Sequence, residues 1–278
     1  MPELPEVEAV VREIAPAMVG ARFSEVLLRR RNLRGPFPRR FRERLIGQRV
    51  ESLARRAKYL VATLSSGEVL LMHLGMSGSF GVGTSGGDHH RLEADAYDPH
   101  DHVVFRMSSG AIVTFNDPRR FGSMDLVPAS GGRRSPLSFL GPEPLSDAFD
   151  GAALARASRG RRTPLKALLL DQRVVAGLGN IYASEALHLA RLSPRRRAST
   201  ITTPGGEPKP AAYRLAAAIK TVLTRAIARS SSGRRYRSAR FRVYDREGEA
   251  CPTPGCNGVI HRITQAGRST FYCPVCQR

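Results

Sequence analysis

The apolar positions of this chain change period along its length. Over 6–14 (EVEAVVREI), Val7, Val10, Val11 and Ile14 recur at helical spacing, and acidic residues crowd the first turn, where a helix dipole favours them. Pro16 and Gly20 are expected to bracket the end of that helix. Short apolar runs of strand character follow at 23–28, 50–54, 59–64, 69–73, 77–82, 102–107, 111–115 and 122–127. Ser66-Gly67 and Ser109-Gly110 stand between such runs as tight turns. A short helix over 39–46 interrupts the series, and the polar, Gly/His/Asp-rich stretch 83–101 reads as a loop on a sheet edge. Many short strands joined by tight turns predict a two-layer β-sandwich with flanking helices.

Beyond residue 130 the pattern turns helical. Gly, Ser, Pro and Arg dominate 131–144, which reads as a linker, and helices are expected near 147–157, 164–170, 180–190 and 208–228. Gly177-Leu-Gly179 breaks the third of these regions, with Asn180 as its expected N-cap. A helix opening there offers free backbone N–H groups and a positive dipole end, a ready seat for a phosphate. The plainer reading of such a turn is a helix connection. The whole reads as an α+β multidomain protein: 1–130 a β-sandwich, 131–145 a linker, 146–240 a helical domain and 241–278 a small cysteine-bearing terminal domain.

Composition narrows the class of partner. The 278 residues are 41% hydrophobic, enough for real cores, yet 44 Lys+Arg face 24 acidic residues, a net charge of +20. Such an excess attracts polyanions, nucleic acid first. An arginine-rich encoding bias explains part of it, since only Lys58, Lys166, Lys209 and Lys220 are lysines. No apolar run approaches the ~18 residues of a membrane span, and no basic-then-apolar signal peptide opens the chain, so a cytoplasmic location is expected. A monomer is expected as well.

The candidate chemistry lies at the two ends. The four cysteines follow as Cys251-x4-Cys256-x16-Cys273-x2-Cys276. Two knuckles separated by a hairpin-sized insert make a four-thiolate zinc site, and a disulfide framework is the poorer reading in a reducing cytoplasm. Arg268, beside Gly267, lies at the tip or flank of that hairpin, where a phosphate contact competes with simple solvation. The start, Met1-Pro-Glu-Leu-Pro-Glu6, offers something rarer. If Met1 is removed, Pro2 exposes a secondary α-amine, a group with a pKa of roughly 7.7–8.0 and therefore partly nucleophilic at neutral pH. Glu3 and Glu6 stand beside it as proton carriers. Between the ends, Met76 in HLGMSG (73–78) and Phe121 in NDPRRFG (116–122) sit in glycine-bearing loops. There an apolar side chain is either a core residue or a wedge for a base stack.

MPELPEVE at the start, RRAKYL around Lys58, HLGMSG, NDPRRFG, LGPEPL, GLGNIYASEAL and GRSTFYCPVCQ occur in this order over nearly the whole chain. Together they resemble the formamidopyrimidine-DNA glycosylases, whose wider family includes endonuclease VIII. The resemblance implies an N-terminal β-sandwich flanked by helices, then a helix–two-turns–helix domain carrying a zinc-finger β-hairpin with one structural Zn2+. It implies a glycosylase and abasic-site lyase acting on duplex DNA with oxidised or ring-opened bases. Pro2 would be the nucleophile, Glu3 the acid/base at the sugar and Glu6 its support, with Lys58 reaching DNA near the lesion. His73, Asn180, Tyr244 and Arg268 would contact backbone phosphates, with Lys166 near the site. Met76, Arg119 and Phe121 would fill the vacated stack. Cys251, Cys256, Cys273 and Cys276 would hold the metal. The connector 230–242 departs from the glycosylase pattern: it lacks the TTLRD-like and GYFQ-like stretches, and 239–243 is closer to endonuclease VIII. The expected preference is therefore for ring-opened purines, and for oxidised pyrimidines, over 8-oxoguanine. An endonuclease VIII-like enzyme for oxidised pyrimidines is the alternative of the same class, and a zinc-finger protein that binds damaged DNA without catalysis is that of a different class.

Overall fold

A computed structural model describes residues 2–84, 97–128, 135–230 and 241–278. The expectations placed on Met1, on most of the edge loop 83–101, on part of the linker and on nearly all of the connector 230–242 lie outside the described residues. The chain forms two compact units, Met1–Ser138 and Phe139–Arg278.

The first unit begins with helix α1, Leu4–Met18. Leu4, Val7, Val11, Ile14 and Met18 form one buried stripe, the 3- and 4-residue spacing that turns a single helix face inward. The helix starts two residues earlier than the apolar period suggests, because Pro5 is tolerated in a first turn where its missing N–H has no partner to lose. Nor does Pro16 end it. The proline removes one bond near the C-terminus, while fully buried Met18 holds the last turn on the core and Val19 N still donates to Ala15 O.

Eight strands follow: β1 Phe23–Leu28, β2 Val50–Arg56, β3 Tyr59–Leu64, β4 Glu68–His73, β5 Ser79–Thr84, β6 Asp101–Met107, β7 Ala111–Asn116 and β8 Ser123–Pro128, with the short helix α2, Phe41–Leu45, after β1. They make two four-stranded antiparallel sheets, ordered β1-β6-β7-β5 and β2-β3-β4-β8. One core of Phe23, Leu60, Leu70, Phe105, Phe115 and the α1 stripe lies in this sandwich. Burying each such side chain contributes roughly 1.5–3 kcal/mol. Strand β5 starts at Ser79 rather than 77, because Ser77 and Gly78 belong to the loop that follows β4.

The second unit holds α3 Gly151–Ser158, α4 Leu165–Leu170, α5 Asn180–Leu189 and α6 Pro210–Ser230, then the hairpin β9 His261–Gln265 and β10 Arg268–Tyr272. Helix α3 opens later than the periodicity suggests, at the cap formed by Asp150, whose Oδ1 accepts from Ala153 N at 2.7 Å. The N-cap of α5 is Gly179, not Asn180; the asparagine is the first helical residue and its side chain is committed elsewhere. Ala266 and Gly267 both take positive φ, the two-residue turn that matches strand twist, so Arg268 is the first residue of β10 and is exposed. Among the described residues no helix is long and apolar enough to cross a membrane.

Candidate active site

The mouth of α1 is built by its own first turn. Glu3 N donates to Glu6 Oε2 at 2.8 Å, and the Glu3 carboxylate accepts from the Glu6 backbone N–H. This reciprocal box satisfies donors that a helix start leaves open. It also holds Glu3 at 1% exposure, directly after half-buried Pro2. Residue 2 is thereby fixed at the end of a helix whose opposite face is locked in the core.

Lys58 lies in the β2–β3 hairpin. Arg56 pairs with Tyr59, leaving Ala57-Lys58 as a two-residue turn with Ala57 at φ 53. Arg55 ties this turn to α1: its Nε meets Glu8 Oε2 at 3.0 Å, and its Nη1 donates to Ala57 O at 3.2 Å. The ion pair is largely buried, so it is screened less than a surface pair and anchors the turn to the helix that carries Pro2. His73 ends β4, with its ring 4.9 Å from that of Tyr59. Its Nδ1 accepts from Gly75 N at 3.0 Å, which leaves the ring proton on Nε2. Burial, reinforced by the charges of Lys58 and Arg34, pushes its pKa down to about 4. At neutral pH His73 is therefore an uncharged N–H donor, suited to a phosphate oxygen through a hydrogen bond rather than an ion pair.

The two glycine-bearing loops meet. A Cβ on Gly75 (φ 64) would fall 2.3 Å from Phe121 C, so the loops touch backbone to backbone where only glycine fits. Met76 is 41% exposed and Phe121 is 43% exposed, which removes both from the core. The Arg119 guanidinium lies 5.0 Å from the centre of the Phe121 ring, a cation–π contact that holds cation and wedge together. Asp117, with no exposed surface, accepts from Ser77 Oγ at 2.6 Å and from Gly122 N at 2.7 Å. The sequence does not single out this aspartate; the only signal is an acid set among cations in NDPRRFG.

In the second unit, Asn180 opens α5 with both ends of its amide engaged, one N–H of Nδ2 being left over. Its Oδ1 accepts from Lys166 Nζ at 2.7 Å, and its Nδ2 donates to Ser269 O at 2.9 Å. Lys166 is only 1% exposed and donates to Thr270 Oγ1 and Ser269 O as well. It sits beneath the helix mouth rather than on its surface. Glu185, one turn later on α5, accepts from the backbone N–H groups of Arg242, Val243 and Tyr244 at 2.8–3.0 Å, a clasp that sequence reasoning missed. That clasp seats Tyr244, whose ring packs edge-on against Phe271 at 5.0 Å. Arg268 stands on the far end of the same hairpin.

The four cysteines converge. Sγ of Cys251 lies 3.7 Å from that of Cys276, Cys256 lies 3.6 Å from Cys273, and all four fall within 4.8 Å of one another. A tetrahedral thiolate cage with metal–sulfur bonds of about 2.3 Å sets neighbouring sulfurs about 3.8 Å apart, so the donor set fits. A Cβ on Gly258 would meet Cys273 Sγ at 2.5 Å, so glycine is needed for the backbone to pass this thiol. His188, buried on α5, brings Nε2 to 3.5 Å from Cys251 Sγ and 3.2 Å from Thr253 Oγ1.

These features meet known proteins over the full chain. The family model of the formamidopyrimidine-DNA glycosylase N-terminal domain matches residues 1–124, and that of the formamidopyrimidine-DNA glycosylase H2TH domain matches residues 140–238. A formamidopyrimidine-DNA glycosylase of Methylobacterium sp. (strain 4-46) is 55% identical over 299 aligned positions, which cover 100% of this chain and 99% of the relative. The chain belongs to the formamidopyrimidine-DNA glycosylase family. The family's Lactococcus lactis enzyme, solved non-covalently bound to DNA containing an abasic site, superposes with a TM-score of 0.82 at 29% identity over 100% of both chains. The Thermus thermophilus protein gives 0.79 at 37% identity, over 99% of this chain and 98% of that one. The family fold accounts for the β-sandwich, the helical H2TH region and the four-cysteine hairpin together. Since 278 residues fill 299 aligned positions, at least 21 positions of the Methylobacterium alignment have no counterpart here.

Proposed function

We propose that this chain is a bifunctional DNA glycosylase and abasic-site lyase of base excision repair, working in the bacterial cytoplasm on duplex DNA with ring-opened or oxidised bases. With Met1 removed, the Pro2 amine attacks C1′ of the damaged nucleoside and passes its N–H proton to the Glu3 carboxylate. The glycosidic bond breaks, and its electron pair leaves with the base, which is protonated as it departs. The C1′–O4′ bond then opens, O4′ takes a proton from Glu3, and a secondary amine so engaged becomes an iminium that is cationic without a proton of its own. This electron sink acidifies the C2′ hydrogens. Loss of one to the Glu3 carboxylate breaks C3′–O3′ and expels the 3′ phosphate, and a second elimination breaks C5′–O5′.

The other residues bind and hold. Glu6 fixes the start of the helix. Lys58 meets the strand beside the lesion, and His73, Asn180, Tyr244 and Arg268 hold phosphates. Met76 and Phe121 fill the vacated stack while Arg119 faces the orphaned base. Lys166 supports Asn180 from below. Cys251, Cys256, Cys273 and Cys276 hold one Zn2+, whose contribution is the fold of the hairpin that carries Arg268.

The observation that carries this reading is the capping box: it seats a buried carboxylate directly beside residue 2 at a fixed helix mouth. Borohydride trapping on DNA with an abasic site tests it. A covalent adduct is expected from the processed chain and not from Pro2→Gly or from chain retaining Met1. Absence of an adduct from correctly processed wild type would instead mark a DNA-binding protein without catalysis.

A further inference from the structure

Asp117 uses every polar atom it has. Its backbone N donates to His100 O at 2.9 Å, and its backbone O accepts from Arg120 N at 3.1 Å and lies 2.9 Å from His102 Nε2. The carboxylate, with 0% exposure, takes Ser77 Oγ–H on one oxygen and Gly122 N–H on the other. Ser77 Oγ in turn accepts from Arg119 N at 3.2 Å. The relay thus runs from Gly122 through Asp117 and Ser77 to Arg119. Three of its four members lie at or beside a wedge side chain: Gly122 follows Phe121, Ser77 follows Met76, and Arg119 is itself one.

This relay holds a loop that would not otherwise keep its shape. Arg120 sits at φ 55, a left-handed conformation that disfavours any residue but glycine, and such strain persists only where the surroundings over-determine it. A Cβ on Gly122 would fall 2.6 Å from Phe115 Cζ and 3.1 Å from Asp117 Oδ2, so the backbone there has no room to drift. Hydrogen bonds to a buried carboxylate are strong, and removing either one leaves a buried polar group without its partner.

We infer that Asp117, through Ser77, is a positioning residue for reading the partner strand: it joins the Met76 loop and the Arg119/Phe121 loop into one rigid wedge. The inference rests on the proposed function, in which those three side chains enter the stack. It assigns Asp117 no part in the chemistry at Pro2. Loosening the clasp should therefore blunt discrimination of the base opposite the lesion and slow release of a damaged base, while leaving attack on an existing abasic site intact.

The test uses full-length, processed chain: wild type, Asp117→Asn, Ser77→Ala and Ser77→Thr, the last keeping the hydroxyl. Single-turnover release of a formamidopyrimidine base is measured opposite cytosine and opposite adenine, beside borohydride trapping on a preformed abasic site and a thermal melt. Ser77→Ala and Asp117→Asn should release base on the order of tenfold to a hundredfold more slowly, the scale of a group misplaced by about 1 Å. Their cytosine-to-adenine ratio should fall toward unity, with trapping at the wild-type level, and Ser77→Thr should restore the ratio. An unchanged ratio in the two disrupting variants overturns the inference, and so does a parallel loss of trapping, base release and melting temperature, which marks a residue of the fold alone. A wild type that forms no adduct overturns the proposed chemistry and this inference with it, whereas a trapping wild type with unaltered variants overturns this inference alone.

Discussion

His73 shows how a single side chain can be tuned by position. It ends a central strand, its Nδ1 is occupied by Gly75 N–H, and burial with two nearby cations holds its pKa near 4 against the ordinary 6.5. A group whose charged form is disfavoured by folding contributes stability that is complete above its unfolded pKa. That contribution is lost as pH falls from about 6.5 through 4. Full protonation forfeits on the order of 3 kcal/mol. In His73→Asn the amide oxygen can still accept from Gly75 without titrating. Melting temperatures of wild type and His73→Asn at pH 7 should be close, and wild type should lose more between pH 7 and 4.5. Equal losses would remove His73 from the acid-labile groups. Lys166 teaches the complementary lesson at this scale. Its rarity makes it noticeable in the sequence, and its charge suggests a surface, yet the bonds it donates to Asn180, Ser269 and Thr270 all run inward.

At the scale of elements, α5 is the organiser of the second unit. Within ten residues it presents Asn180 at its mouth, Glu185 to the segment 242–244 and His188 to the Cys251 knuckle. The hairpin it holds has only a small cluster of Val243, Ile260 and Phe271 as apolar core beside the cysteines, so the proposed zinc would supply much of its folding free energy. Cys273→Ser should lose bound zinc and, with it, duplex affinity by on the order of tenfold or more. Metal analysis and fluorescence anisotropy on one preparation decide the point, and full affinity without zinc would sink the proposed role of the finger. The cysteine spacing and the strands were legible because each is a local signal. Eight strands stood near their expected bounds because each is a short apolar run closed by turns; burial alternates in β3 but runs unbroken through the middle of β4 and β6. Glu185 and Asp117 were not legible. Their partners lie 57–59 and 40 residues away, or in a backbone N–H that carries no sequence signature. For Asn180 the error was one of competition. It is a good capping residue by type, but a buried lysine and a hairpin carbonyl claim its amide, and glycine takes the cap.

At the scale of the whole molecule, a net charge of +20 suits a polyanionic partner without choosing the lesion. That choice belongs to contacts around the extruded base, and the short connector 230–242 is where this chain departs from the glycosylase pattern. Fewer contacts on the extruded purine should lower excision of 8-oxoguanine relative to ring-opened purines and oxidised pyrimidines, by about tenfold for each 1.4 kcal/mol of lost contact. Parallel single-turnover assays on the three lesions in one duplex context would show it. Dominant excision of 8-oxoguanine opposite cytosine would refute it.

The bonds at the mouth of α5 also make two ligands answer to each other. Lys166 and Asn180 are fastened to Ser269 and Thr270 of the hairpin next to the four thiolates, so the proposed phosphate grip and the proposed zinc share one set of hydrogen bonds. Linkage is symmetric: whatever factor zinc adds to affinity for DNA, DNA must add to affinity for zinc. On that proposal, protein engaged on DNA should be the fraction best protected from chelators, and the idle pool the first to be stripped.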